Sequence, residues 1–435
     1  MKHEFTSQML RAIDASPCSF FAVRHAAERL DAAGFTALAE SQAWNLKPGG
    51  RYYTTRNGSS LIAFTLPQDR LPGFMISASH SDAPTLKLKE HPQLPGGAYV
   101  RLNTEKYGGL LHSTWMDRPL GIAGRLLVRQ ADGGIAAQLV DLGGQAAIIP
   151  NVAIHMNRSV NEGVKLLPNV DLLPIYAPGG VQMSVLEMAA EHAGVRMADV
   201  LGHDLFLYNS QPGTYLGAQD DWIGAPRLDD LECAFGCLEG FLTAQEADSA
   251  RIYCLFDNEE VGSQTRQGAA STLLQDVLLR ICEALGLGAE GCRRAVACSL
   301  LVSADNAHAL HPNHPEYADG ENCPVMNGGV VVKFNANQHY TTDGVSAALF
   351  DSFCREANVP VQVFANRADM AGGSTLGNIA NTQVSLHSVD IGLAQLAMHS
   401  AFETAGADDP ALLVRAMQTF YERTLRQSAD GTYYI

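Results

Sequence analysis

No run of apolar residues in this chain approaches the ~18 that a membrane-spanning helix needs, which excludes a helical membrane protein. The opening stretch MKHEFTSQMLRAIDASPCSFFAVRHAAERL has no signal-type apolar core, and its apolar residues recur at helical spacing instead. A cytoplasmic protein is expected. Positive charge is scarce: 30 Lys and Arg stand against 46 Asp and Glu, a formal net charge of -16. With no Lys/Arg run to reverse that balance locally, neither a nucleic acid nor a membrane surface is an expected partner. An anionic ligand would need local positive charge working against the global field. The nine cysteines form no CxxC pair. Cys233 and Cys237, four residues apart, are read as buried reduced thiols on one helix face, not as a thiolate metal site. Long repeats and low-complexity tracts are missing, as are HExxH and the P-loop. GLGAEG (286–291) follows a helix, so it lacks the strand that a dinucleotide fingerprint requires. GGSTLG is not a GxSxG nucleophile elbow.

What is present is a globular chain, 46% apolar and 17% charged, able to build a large core. Residues 7–34 predict one or two amphipathic helices broken near Pro17. RYYTTRNGSSLIAFTL predicts a hairpin turning at Asn57-Gly58, and GFMISASH a buried strand. From 91 to about 215 glycine pairs recur, at 108–109 among others, between short alternating segments. This stretch reads as an inserted β-rich domain. Strand and helix patterns then alternate: DDLECAFGCLEGFLTA (helix), ARIYCLF (strand), AASTLLQDVLLRICEALG (helix), AVACSLLVSA (strand), GGVVVKFN (strand), TDGVSAALFDSFCREAN (helix), PVQVFAN and NTQVSLHSVD (strands), and LAQLAMHSAFETA (helix). The expected fold is α/β, a mostly parallel sheet with helices on both faces, built from residues 1–90 and 216–435, with the β-rich domain 91–215 inserted.

Ligands of open α/β sheets bind outside the carboxyl ends of strands. MISAS is followed there by His80-Ser81-Asp82, IYCLF by Asp257-Asn258-Glu259-Glu260, and SLLVS by Asp305 and His308. Each residue also has a plain structural reading. His80 and Asp82 fit a solvated loop, Glu259 and Glu260 an exposed acidic turn, Asp305 a helix cap, Asp229 a helix-dipole acid and His399 a core histidine. Their conjunction at strand exits and helix starts favours one site. Imidazole and carboxylate without thiolate suit Zn²⁺, Co²⁺ or Mn²⁺ in a hydrolytic centre.

Taken together, SHSDAPTLKLK, PRLDDL, FDNEEVGS, SADNAHALHPN and DIGLAQLAMHS resemble the M18 metallopeptidases, the aspartyl aminopeptidases, in order and spacing over nearly the whole chain. The nearest resemblance is to the bacterial members. The resemblance implies two divalent ions per subunit, most often Zn²⁺, with Asp229 bridging them. His80 and Asp305 would complete one metal site, and Glu260 and His399 the other. It further implies Glu259 as general base, Asp82 orienting His80, and His308 and Lys333 contacting substrate, Lys333 facing an acidic side chain. His155 matches a histidine that reaches a neighbouring subunit's active site. Asp257 has no implied role beyond the turn. The chain departs from the family in the DMAGGSTLG loop, where Ala371 and Gly372 replace a frequent cysteine and proline. The implied activity is release of N-terminal Asp or Glu from short peptides by a homo-oligomer, a tetrahedral dodecamer. The competing readings are an inactive peptidase-fold assembly protein and a co-catalytic metal carboxypeptidase or deacylase.

Overall fold

A computed structural model describes residues 3–94, 96–181, 183–370 and 372–435; Ala371 of the divergent loop lies outside them. The chain opens with α1 (Glu4–Asp14) and α2 (Ser19–Ala32), separated around Pro17 as the periodicity predicts. Four strands follow: β1 (Thr36–Leu38), β2 (Arg51–Arg56), β3 (Ser60–Thr65) and β4 (Phe74–His80). The β2–β3 hairpin turns where Asn57 and Gly58 both take positive φ, the conformation that an Asn-Gly pair tolerates best. Next come β5 (Thr85–Leu94), β6 (Tyr99–Tyr107), β7 (Leu120–Arg129), β8 (Ile135–Asp141), β9 (Ile175–Pro178), α3 (Val185–His192) and β10 (Val200–Asn209). The remainder comprises β11 (Thr214–Leu216), β12 (Trp222–Ala225), α4 (Leu228–Thr243), β13 (Ala250–Phe256), α5 (Leu273–Ala284), α6 (Gly288–Ala297), β14 (Leu300–Ala304) and β15 (Ala307–His308). It continues with β16 (Val330–Phe334), α7 (Gly344–Glu356), β17 (Val361–Ala365), α8 (Leu376–Ala380), β18 (His387–Gly392), β19 (Ala394–Leu396), β20 (Glu403–Gly406) and α9 (Asp409–Tyr421).

The main sheet runs β1-β2-β3-β13-β4-β14-β18-β16-β17. Its centre, β13-β4-β14-β18, is parallel throughout, and the antiparallel pairings are β2/β3, β3/β13 and β18/β16. Alternating residues face opposite cores, as a strand's period of two dictates. Met75, Tyr253 and Val302 join α1, α2, α4, α7 and α9 on one face. Ile76, Ile252 and Leu301 join α5, α6 and α8 on the other. The strands β3, β4, β13 and β14 are buried along their whole length, which explains why they read as unbroken apolar runs.

A second, antiparallel sheet, β8-β7-β10-β5-β6-β9, is drawn entirely from residues 85–209, so its first strand starts ahead of residue 91. It packs with α3 around its own core. A third sheet, β11-β12-β20-β19-β15, lies beside the main one.

Three segments differ from expectation. NTQVSLHSVD, read as a strand throughout, is strand only from His387, where β18 begins. Residues 295–299 of AVACSLLVSA belong to the end of α6 and the turn after it, and β14 begins only at Leu300. LAQLAMHSAFETA, read as a helix, is a strand–turn–strand of β19 and β20. Its apolar spacing is helical, but Ala397 and His399 both adopt positive φ, which no α-helix accommodates. Tertiary bonds hold that turn: the His399 amide donates to Glu403 Oε1 (2.7 Å), and Leu111 N donates to the His399 carbonyl (3.0 Å).

Candidate metal centre

The parallel register sets the strand ends side by side. Phe256 of β13 pairs with His80 of β4, and Ser303 of β14 pairs with Ala78, so His80, Asp257–Glu260 and Asp305 leave one edge of the sheet together. Asp229 arrives from the start of α4, where Asp229 and Asp230 have non-helical φ/ψ although the helix runs on to Thr243. His399 arrives from the β19–β20 turn.

The imidazoles face each other across Asp229. His80 Nε2 lies 3.4 Å from Asp229 Oδ1 and 4.0 Å from Asp305 Oδ1. His399 Nε2 lies 3.4 Å from Asp229 Oδ2 and 3.4 Å from Glu260 Oε2. Each ring is oriented through its other nitrogen. His80 Nδ1 contacts the Asp82 carbonyl (3.0 Å) and His399 Nδ1 the Gly109 carbonyl (3.1 Å). A carbonyl only accepts, so both rings carry hydrogen on Nδ1, and Nε2 is the atom left to a proton or a metal ion.

The donor set fits divalent ions. Ligands ~2.1 Å from a common tetrahedral centre are about 3.4 Å apart, the spacing found between each Nε2 and the Asp229 oxygens. Asp229 Oδ1, Asp230 Oδ1 and Glu260 Oε1 are buried with no hydrogen-bond partner. His80, Asp229, Asp230 and Asp305 each offer a ligand atom within 4.8 Å of one another, as do Asp229, Glu260 and His399, and also His80, Glu259 and Glu260.

Electrostatics point the same way. Asp82, Asp229, Asp230, Asp257, Asp305 and Glu403 are all buried here, against Lys333 and two imidazoles. Burial pushes Glu259 up to about 8, Asp257 to about 7 and Glu403 to about 8, and raises Glu260 and Asp230 well above the usual carboxylate range. Burial opposes charge on Asp229 too, but its contacts with His399 and His80 outweigh that and hold its pKa below the ordinary value. Reciprocally, His399 rises to about 9 despite burial, through Asp229. Protons thus occupy the cluster wherever cations do not.

Of the sequence candidates, His80, Asp229, Glu260, Asp305, His399 and Glu259 come together. Asp82 lies beneath them: its carboxylate accepts from the amides of Glu259 and Glu260 (3.2 Å each) and sits 3.4 Å from His80 Nδ1. Lys333 is buried under Asp305. Its Nζ donates to the carbonyls of Asp305 (2.8 Å) and Asn306 (3.3 Å) and lies 3.6 Å from Asp305 Oδ2, so its hydrogens are already directed at protein oxygens. That differs from a cation free to face substrate. His308 ends β15, its ring edge-on to Phe364. His155 is an exposed turn residue apart from the cluster. Asp257, left without a role, accepts from Asn258 N (2.9 Å).

Sequence reasoning missed Asp230, whose Oδ2 accepts from His80 N (3.0 Å), and Glu403, which accepts from the amides of Asp229 (3.1 Å) and His399 (2.7 Å). Both were visible as acids next to candidate ligands. Glu403 was hidden by the helical reading of its segment. Tyr107, Gly109 and Asn258 gave no signal except the Gly108–Gly109 pair.

Fold and cluster define an α/β protein with a buried histidine–carboxylate metal centre at the carboxyl edge of its sheet. The family model described as Aminopeptidase I zinc metalloprotease (M18) matches residues 12–421, and the chain belongs to that family. It is similar to the probable M18 family aminopeptidase 2 of Clostridium novyi (39% identity, covering 97% of this chain and 99% of that protein) and of Pseudomonas aeruginosa (40%, 97% and 99%). Among solved structures it resembles Ape4 in its complex with Nbr1 (TM-score 0.92, 32% identity, 96% of this chain and 85% of that one). It also resembles prApe1 (0.91, 30%, 97% and 95%) and the S. cerevisiae mApe1 dodecamer (0.84, 30%, 96% and 96%).

Removing divalent cations should expose the uncompensated buried carboxylates. Dialysis against a chelator is expected to lower the melting temperature by several degrees, and added Zn²⁺ to restore it, because a ligand that binds the native state alone stabilises it by mass action. A melting temperature indifferent to both treatments would contradict a metal-binding cluster.

Proposed function

We propose that this protein is a metallo-aminopeptidase that releases N-terminal residues from short peptides, with two divalent ions per subunit. The observation that carries this reading is Asp229 set between two imidazoles, one oxygen toward each, with Glu259 beside them. His80 and Asp305 would hold one ion, His399 and Glu260 the other, and Asp229 both. Zn²⁺ suits the donors, as do Co²⁺ and Mn²⁺. Bound there, such ions supply a water of lowered pKa and neutralise charge developing at the scissile carbonyl.

Glu259 is the general base in this reading. It stands next to the ligand Glu260 in sequence and belongs to neither ligand set. Beside bound cations, Glu259 would lose proton affinity from its burial-raised state, and its carboxylate would be free to take a proton from the attacking water and return it to the leaving amine. Asp82 fixes the base through the Glu259 amide and orients His80, and Glu403 fixes the His399 turn.

Acidic N-terminal residues are the proposed substrate preference. Burial disfavours charge on Lys333, but Asp305 more than offsets this and keeps it cationic. Its field would attract a substrate carboxylate without a free hydrogen-bond donor. His308 is the other proposed substrate contact.

Residues 1–90 and 216–435 would form the catalytic domain and 91–215 an inserted assembly domain. The segment around His155 supports this: Val152, Ile154, Met156, Val164, Leu167 and Val170 are all exposed there, and a second copy is the partner that would bury them. A homo-oligomer follows, a tetrahedral dodecamer with His155 reaching the neighbour's site. S. cerevisiae mApe1 is described as a dodecamer. Nine free thiols, six of them buried, fit a cytoplasmic setting.

Glu259→Gln should retain its metal and lose about 10²–10⁴-fold in kcat; near-normal turnover would remove Glu259 as base. On a panel of Asp, Glu and Leu aminoacyl substrates, Lys333→Ala should cost the acidic substrates about tenfold more in kcat/KM than Leu, the weight of ~1.4 kcal/mol. Equal losses would assign Lys333 to supporting Asp305 alone. Light scattering coupled to size exclusion should report a particle of many subunits, and a stable monomer would refute the assembly.

A further inference from the structure

The Gly108–Gly109 pair lies where the second sheet touches the metal centre. Tyr107, the last residue of β6, donates its hydroxyl hydrogen to Asp82 Oδ2 (2.6 Å) and accepts from Asn258 Nδ2 (2.8 Å). Its ring is edge-on to Phe206 of β10, so the phenol is anchored in the second sheet. Asp82 in turn accepts from the Glu259 and Glu260 amides. Asn258 opens that turn with positive φ, and its side-chain oxygen accepts from Thr265 (2.7 Å) and Gln267 (2.9 Å). One phenol hydroxyl therefore ties Asp82, in the loop that follows His80 at the end of β4, to the turn after β13, which carries both glutamates.

The next residues reach the opposite side of the cluster. The Gly109 carbonyl receives His399 Nδ1 (3.1 Å), Leu111 N donates to the His399 carbonyl (3.0 Å), and Thr114 Oγ1 accepts from Ala401 N (2.9 Å). Gly108 makes this approach possible, whereas at Gly109 a side chain would meet His399 only at ordinary contact distance. A Cβ on Gly108 would stand 3.2 Å from Glu260 Cβ, at a φ of +75, and one on Gly109 would stand 3.4 Å from His399 Nδ1.

We propose that Tyr107 is a positioning residue for the reaction: through Asp82 and Asn258 it holds the Glu259–Glu260 turn in register with His80, while Gly108 lets the same strand end pass close to Glu260 and the Gly109 carbonyl receives His399. The second sheet is thereby part of the active site's framework as well as a candidate assembly surface. Tyr107 touches no reacting atom, and its role rests on the reading of Glu259 and Glu260 given above.

The test is Tyr107→Phe in the full-length protein, which removes one oxygen and keeps the ring. In metal-free protein, amide hydrogen exchange across residues 257–263 should accelerate relative to wild type, because the Asp82 carboxylate that receives the two amides has lost its brace. In the Zn²⁺-loaded enzyme, kcat should fall about ten- to hundredfold with KM little changed and metal content retained, the range for residues that orient metal ligands. Combined with Asp82→Asn, Tyr107→Phe should cost nothing further, since both act through one carboxylate. Asn258→Ala, which removes the other bond of the hydroxyl, should reproduce the exchange and kcat changes, and it carries the test if Tyr107→Phe does not fold. Wild-type exchange and kcat in these variants, or losses that multiply with Asp82→Asn, would overturn the proposal. Normal turnover of Glu259→Gln would defeat the general-base reading by itself, while exchange in the metal-free protein still decides Tyr107.

Discussion

Everything at the carboxyl edge of the main sheet answers to one constraint: buried negative charge must be neutralised. Asp229 sits at the centre of it, 3% exposed, with an imidazole on each oxygen and Asp230, Glu260, Asp305 and Glu403 around it. An ion of this kind taken from water without compensation costs several kcal/mol. Lys333 and two imidazoles are too few for the carboxylates present, so the cluster settles its charge with protons or with metal ions. Burial raises the proton affinity of most of these acids, Asp229 excepted, so protons serve when no metal is bound. Divalent ions serve better, because each brings two charges to oxygens that have no other partner.

The fold is arranged to make this concentration of charge possible. A parallel sheet delivers successive chain segments to one edge, so residues far apart in sequence emerge as neighbours. The apolar strands that precede them are buried completely and leave no freedom in where those exits fall. Backbone donors then fix the acids one by one. Asp230 takes the His80 amide, Asp82 takes those of Glu259 and Glu260, and Glu403 takes those of Asp229 and His399. Each of these outer acids fixes the backbone that carries an inner residue of the cluster.

What the sequence made legible follows from this division. His80, Glu259, Glu260 and Asp305 stand directly after unbroken apolar strands, and a strand ending in a polar cluster is a local pattern. Asp229 and His399 were weaker signals, a helix-dipole acid and a core histidine when read alone, and their metal roles came from the resemblance to M18 peptidases. The spacing around His399 is helical, and the positive φ values that break the helix come from bonds to Glu403 and to Leu111, the latter nearly three hundred residues away in sequence. Lys333 read as a substrate cation through the resemblance alone, since its partners, the carbonyls of Asp305 and Asn306, leave no trace in the sequence. Tyr107 could not be read at all: its importance lies in a contact between two sheets, and no periodicity within either records it.

The adjacent glutamates show how the levels join. Two neighbouring carboxylates repel, and an isolated acidic turn would splay them into water. Here Asn258 and Gly262 both take positive φ, and between them the chain makes a single tight turn whose amides point inward to Asp82. An anion beneath the turn satisfies its amides, and the side chains are left to diverge. Glu260 turns toward His399. Glu259, also within reach of His80, forms no ion pair of its own with either histidine among the described residues and keeps a raised affinity for a proton. The two neighbours thereby have different surroundings: Glu260 faces His399, and Glu259 stands beside the cluster without an ion pair to either histidine, the arrangement that the proposed division into ligand and base requires.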